Sequence, residues 1–134
     1  MKLGRIIVSG ILIEVSTALL RIIWIGANEI FSGKGPGHEV DRMFIAFYSE
    51  TLGVALLAFL FGWWATKRND SKFLLSGILV GSIAVAACIV DYLICQMPLN
   101  PIMIALGFIR ILFATIGSAV SFIICRKMVR RVLP

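Results

Sequence analysis

Charge is scarce in this chain, and so are the residues that carry most enzymatic chemistry. Only 15% of its 134 residues are charged, and it has one histidine, three cysteines and four prolines. His38 lies in a glycine-rich stretch beside Glu39 and Asp41, where it reads as a solvated loop residue rather than a metal ligand. No Ser/His/Asp set, P-loop, GxGxxG or CxxC occurs, so no enzyme activity, cofactor or metal site is expected. Cys88 and Cys95 fall two turns apart on one predicted helix, ~10 Å along its axis, too far for a disulfide. They and Cys125 read as small apolar filler.

What the chain has in abundance is oil. It is 60% hydrophobic with a mean hydropathy of +0.99, more apolar surface than one soluble domain of this length buries. Four apolar runs, at about 6–30, 43–65, 73–96 and 102–125, each approach the ~20 residues needed to cross a bilayer. The expected fold is therefore all-α: a single transmembrane domain over residues 1–134, built as an up-down-up-down four-helix bundle. The first run carries Glu14 and Arg21 and is too long for a signal-peptide core.

The net charge of +6 has a distribution that points to a membrane rather than to nucleic acid. Lys2, Arg5, Lys67, Arg68, Lys72, Arg126, Lys127, Arg130 and Arg131 fall on one side if four helices alternate. The other side has Lys34 and Arg42, offset by Glu29, Glu39 and Asp41. The positive-inside rule then puts both termini in the cytoplasm, with the protein in the cytoplasmic membrane. No basic stripe with interleaved aromatics is present, so nucleic acid is not an expected partner. Short loops, among them the 67–72 turn and a Pro98/Pro101 turn, join the helices. Trp63 and Trp64 precede a basic turn, which suits headgroup anchoring, although a tryptophan also stacks on cations. Residues 9–13 read SGILI and residues 76–80 read SGILV, a hint of a duplicated helical hairpin.

Five ionisable residues lie inside the apolar runs: Glu14, Arg21, Glu50, Asp91 and Arg110. At ~2.5–3.5 kcal/mol each on an insertion scale, uncompensated they would cost on the order of 15 kcal/mol, so they are expected to face one another, water or a partner. Each rides a small and polar stripe: Gly10, Glu14, Thr17, Arg21 and Asn28; Ala46, Glu50 and Gly53; Gly77, Gly81, Ala84, Cys88, Asp91 and Cys95; Gly107, Arg110, Ala114, Gly117, Ser118 and Ser121. Gly10, Gly53, Gly77, Gly81, Gly107 and Gly117 are expected at close helix contacts. Leu56, Phe59, Ile89, Ile111 and Phe122 are left to meet lipid.

At 1.5 Å per residue in a ~30 Å core, Arg21, Glu50, Arg110 and Asp91 lie about 22, 20, 18 and 27 Å above the inner boundary, and Glu14 about 12 Å. The expectation is an outer-half charge network of Arg21, Glu50, Asp91 and Arg110, with Glu14 nearer the midplane and no cation at its own level. Glu14 then reads either as a proton or cation site or as a carboxyl group hydrogen-bonded across helices. For the other four, a neutralised cluster fixing helix order competes with a substrate pathway.

The stretch GILIEVSTALLR, residues 10–21, resembles the first helix of the small multidrug resistance transporters, four-helix proteins with a membrane-embedded glutamate followed by a cation near the helix end. The resemblance covers about a dozen residues. It implies that Glu14 is the shared proton and cationic-substrate site, with Ile11, Leu12 and Val15 as its neighbours, in an antiparallel dimer exchanging protons for hydrophobic cations. Glu50, Asp91 and Arg110 depart from that family, as do the strong charge bias and the lack of a glycine-rich kink motif in the third run. The chain also resembles bacterial four-helix membrane proteins with a GRI-type basic start and FGWW before a basic turn, as at residues 61–64, a likeness that implies no activity. Two functions follow as expectations. One is a small proton- or cation-coupled transporter or channel-like protein, with Glu14 as its site. The other is a non-catalytic accessory subunit whose charges serve assembly. Four short spans enclose little cavity alone, so a homo-oligomer or a larger membrane complex is expected.

Overall fold

The computed structural model describes residues 3–31, 39–66, 72–94 and 101–132, with side chains described at all of these except 25, 28, 29, 31, 39–49 and 129–132. His38, Lys34, Cys95, nearly all of the 67–72 turn and the Pro98 turn lie outside the described residues, as do the side chains of Glu29, Glu39, Asp41 and Arg42.

The described chain is all-helical: α1 (Leu3–Phe31), α2 (Glu39–Thr66), α3 (Phe73–Ile94) and α4 (Pro101–Val132). Pro101 opens α4, where its missing N–H costs no helical hydrogen bond. α4 runs on past residue 125 to Val132, so Arg126 and Lys127 extend the helix instead of ending it. Among the described residues, three helices are long and apolar enough to cross a membrane: Leu3–Trp24 of α1, Phe73–Ile94, and Pro101–Met128 of α4. Of α2, the segment whose side chains are described includes the apolar stretch Glu50–Thr66.

Burial is inverted relative to a soluble protein. Ile22, Leu52, Leu56, Leu93 and Phe108 are each more than 60% exposed, while Ser9, Thr17, Thr66, Ser76, Arg110, Ser118 and Ser121 are buried. Water would penalise that outer surface heavily, and hydrocarbon would not. These proportions belong to a membrane-embedded protein. Of the five large residues expected to meet lipid, Leu56 and Ile89 are exposed. Phe59, Ile111 and Phe122 are half-buried, and Phe122 stacks on Phe73 with ring centroids 4.3 Å apart.

The core is built from small and β-branched side chains: Ile6, Ile13, Ala58, Ala65, Val80, Ala84 and Ala114. Helices come close where glycine removes a side chain. A Cβ at Gly77 or Gly81 would overlap the backbone of Thr115 or Ile111 in α4, and one at Gly117 would overlap the backbone of Phe59 in α2. Gly62, absent from the small-residue stripes read in the sequence, abuts the Ala114 backbone in the same way. Gly10 and Gly53 meet chiefly the Ile83 and Leu20 side chains, and Gly107 meets only Val85. Both Ser–Gly repeats are buried, yet Gly10 faces α3 and Gly77 faces α4, so the two copies do not share a packing environment.

α2 contacts α1, α3 and α4, and α3 contacts α1, α2 and α4, but among the described residues α1 and α4 have no backbone contact. They occupy opposite corners of the bundle. That diagonal sets the geometry of the site.

Candidate functional site: two ion pairs within the bundle

Arg110 projects from the α4 face that also carries Ala114, Ser118 and Ser121, a spacing of four, four and three residues that points all of them inward. Its side chain is 2% exposed. Arg110 Nη2 donates to Glu14 Oε2 at 2.9 Å, and the Glu14 side chain is 12% exposed. The long arginine stem thus bridges the diagonal that the backbones of α1 and α4 leave open. Cys88 of α3, 4% exposed, sits close to both Glu14 and Arg110.

The second pair joins neighbouring helices. Arg21 Nη2 donates to Glu50 Oε1 at 2.5 Å, with side chains 33% and 28% exposed. Leu20, beside Arg21, reaches Gly53, three residues beyond Glu50.

These contacts correct the expected charge arrangement. Glu14 has a cation, Arg110, which crosses the roughly 6 Å difference in estimated depth between them. Among the described residues, Arg110 is paired with Glu14 rather than with Glu50 or Asp91, and Arg21 with Glu50. Asp91 is exposed on the outside of α3 and forms no ion pair among the described residues. Two separate pairs replace the single outer network.

Toward the other end of the bundle lies a hydroxyl cluster that the sequence reading did not single out. Thr66 Oγ1 and Ser118 Oγ are 2.7 Å apart, and the Gly62 carbonyl accepts from both, at 2.6 Å from Thr66 and 3.0 Å from Ser118. The only signal for it was small polar residues at helical spacing within apolar runs. Thr17 and Ser9 return their hydroxyls to the carbonyls of Ile13 and Arg5, both at 2.7 Å, the usual way a membrane helix satisfies them. The Arg5 guanidinium lies 4.9 Å above the centre of the Trp64 ring, so one of the two paired tryptophans carries a cation–π contact. Neither Cys88 nor Cys125 is in a disulfide, and no group of three metal-ligating side chains occurs among the described residues.

No family model, curated protein or solved structure matches the chain.

Proposed function

We propose that this is a multi-pass protein of the cytoplasmic membrane, an up-down-up-down bundle with both termini inside, and that it acts as a small proton- or cation-coupled transporter or channel-like protein. The bundle direction is supported by cross-helix contacts. Arg5 and Arg21, toward opposite ends of α1, meet Trp64 and Glu50 toward opposite ends of α2 in reverse order. Phe73 and Gly81 of α3 meet Phe122 and Ile111 of α4, also in reverse order.

The observation that carries the transport reading is the Glu14–Arg110 pair. Ionisable groups inside a membrane are costly, and such a residue is by default a candidate for an ion or proton pathway. Protonating Glu14 removes the charge that holds Arg110, so one proton changes the ion pair that bridges α1 and α4. A cationic substrate competing for Glu14 acts on the same contact. This keeps Glu14 in the role suggested by the small multidrug resistance likeness, but adds an internal counter-ion. Reconstitution into liposomes tests it: proton or cation flux is expected from the native protein and is expected to vanish in Glu14→Gln. No flux from either form, with a larger membrane partner retained through purification, would contradict it.

Asp91 favours a second reading, an accessory subunit of a larger complex. An acid on the outer surface of a membrane helix needs headgroup water or a partner's donor. Loss of such a partner on Asp91→Leu, with the isolated chain silent in flux, is the outcome this reading expects.

A further inference from the structure

At one end of the seam between α1 and α2, the Arg5 guanidinium lies over the Trp64 ring, 4.9 Å from its centre. Cation–π attraction holds the group by its charge and leaves its five N–H donors uncommitted. Arg5 forms no ion pair among the described residues. It is partly exposed, as is Trp64, at 40%, so an acceptor arriving from outside the bundle reaches it. Beside it, a Cβ at Gly4 would meet no atom within 4 Å, which leaves the approach open.

Depth and charge limit what fits there. Arg5 immediately precedes the apolar run that starts at residue 6, so it lies at the inner boundary of the hydrocarbon, where lipid phosphates begin. Counting along α2 from residue 65 at 1.5 Å per residue, Trp64, Leu60 and Leu56 lie about 2, 8 and 14 Å above that boundary. Steps of four put these three on one ridge, and Leu60 and Leu56 are 54% and 63% exposed. A cation at phosphate depth thus has an exposed apolar track running up from it. The surrounding charge is positive. Segments 1–5, 66–72 and 126–134 carry nine lysines and arginines against one acid, Asp70, and Lys72, Arg126 and Lys127 are exposed.

We propose that this end of the α1–α2 seam binds one anionic phospholipid, with two phosphate oxygens accepting from Arg5 and an acyl chain laid along Trp64, Leu60 and Leu56. A guanidinium matches a phosphate with paired N–H donors. The headgroup carries no cation of its own, because an ammonium would add to the positive charge already there. The occupant is a lipid rather than free phosphate, because the apolar track starts beside the phosphate and contributes only to a ligand with a chain. The proposal rests on the bilayer placement with the basic ends inside, and not on proton exchange at Glu14.

Native mass spectrometry of the purified full chain, titrated with phosphatidylglycerol or with phosphatidylethanolamine of the same acyl chains, tests this. One phosphatidylglycerol per chain is expected, at least about fivefold tighter than phosphatidylethanolamine, the scale of one charge near a membrane surface. Arg5→Lys keeps the net charge but loses the paired donors, and should weaken phosphatidylglycerol binding about fivefold, the scale of one hydrogen bond. Lys127→Gln removes a whole charge from α4, at the opposite corner of the bundle from α1. It should change binding by no more than about twofold, because a distant exposed charge is screened. Trp64→Leu keeps the apolar track and loses the ring, should weaken binding about threefold, and decides if Arg5→Lys fails to fold. Equal binding of the two lipids would overturn the proposal, as would binding undiminished in Arg5→Lys, or in Trp64→Leu where that variant decides. An effect of Lys127→Gln as large as that of Arg5→Lys would reduce the site to diffuse attraction, and displacement of the lipid by inorganic phosphate alone would reduce it to an anion site; either result overturns it. Glu14→Gln should leave lipid binding unchanged, so this result and the flux result fail separately.

Discussion

The two arginine–glutamate pairs have the same chemistry and different surroundings. Arg21–Glu50 joins adjacent helices and is about a third exposed on both sides. Arg110–Glu14 joins helices whose backbones make no contact among the described residues, and its arginine is almost fully buried. A pair that keeps contact with its surroundings retains alternatives when one partner goes. A buried one leaves its survivor stranded, and desolvation then outweighs any attraction it had enjoyed. Under the proposed transport reading, the outer pair fastens neighbouring helices and the inner pair is the one that responds to a proton.

The largest effect should come from breaking the inner pair on one side. Arg110→Met leaves Glu14 without its cation and is expected to destabilise the bundle by about 3–5 kcal/mol, seen as a large fall in the unfolding midpoint in detergent. Next come the glycines at helix contacts. Gly81→Val must push the α4 backbone at Ile111 away, at about 1–3 kcal/mol of overpacking. The same change at Gly107, which meets only Val85, should cost less, and comparing the two melting curves checks it. Arg21→Met breaks the outer pair and should cost less than Arg110→Met, because the surviving Glu50 is 28% exposed and lies nearer the outer boundary, closer to headgroup water. Thr66→Val removes one hydroxyl from the Ser118–Gly62 cluster and should cost about 1 kcal/mol or less. If Arg21→Met proved as damaging as Arg110→Met, the distinction between the pairs would fail.

Much of this was legible in the sequence. The positions of the helices followed from hydropathy, because an apolar run of membrane length has few other folds open to it. The inward direction of Glu14, Arg21 and Arg110 followed from the small-residue stripes they ride. Pairing did not, because it depends on which helices are neighbours and on rotation about each axis. Asp91 illustrates the second cause. From Gly77 to Asp91 is two heptads, and a straight α-helix drifts ~20° per heptad from a 3.5-residue repeat. By Asp91 the stripe has turned by roughly 40°, and the carboxylate leaves the interior while Cys88 remains in it. The diagonal pair illustrates the first cause: short loops make consecutive helices neighbours, but they leave open which corners α1 and α4 occupy. Gly62 escaped notice because it sits among Phe61, Trp63 and Trp64, whose bulk hides a close contact visible only from the α4 side.

A double-mutant cycle between Glu14→Gln and Arg110→Met, read by unfolding in detergent, tests the central claim most directly. A diagonal pair acting as one unit predicts a coupling of about 2–3 kcal/mol, the upper end for residues in direct contact, with the double variant more stable than Arg110→Met alone. Additive effects, with the double variant as unstable as the sum of the two single changes, would contradict it.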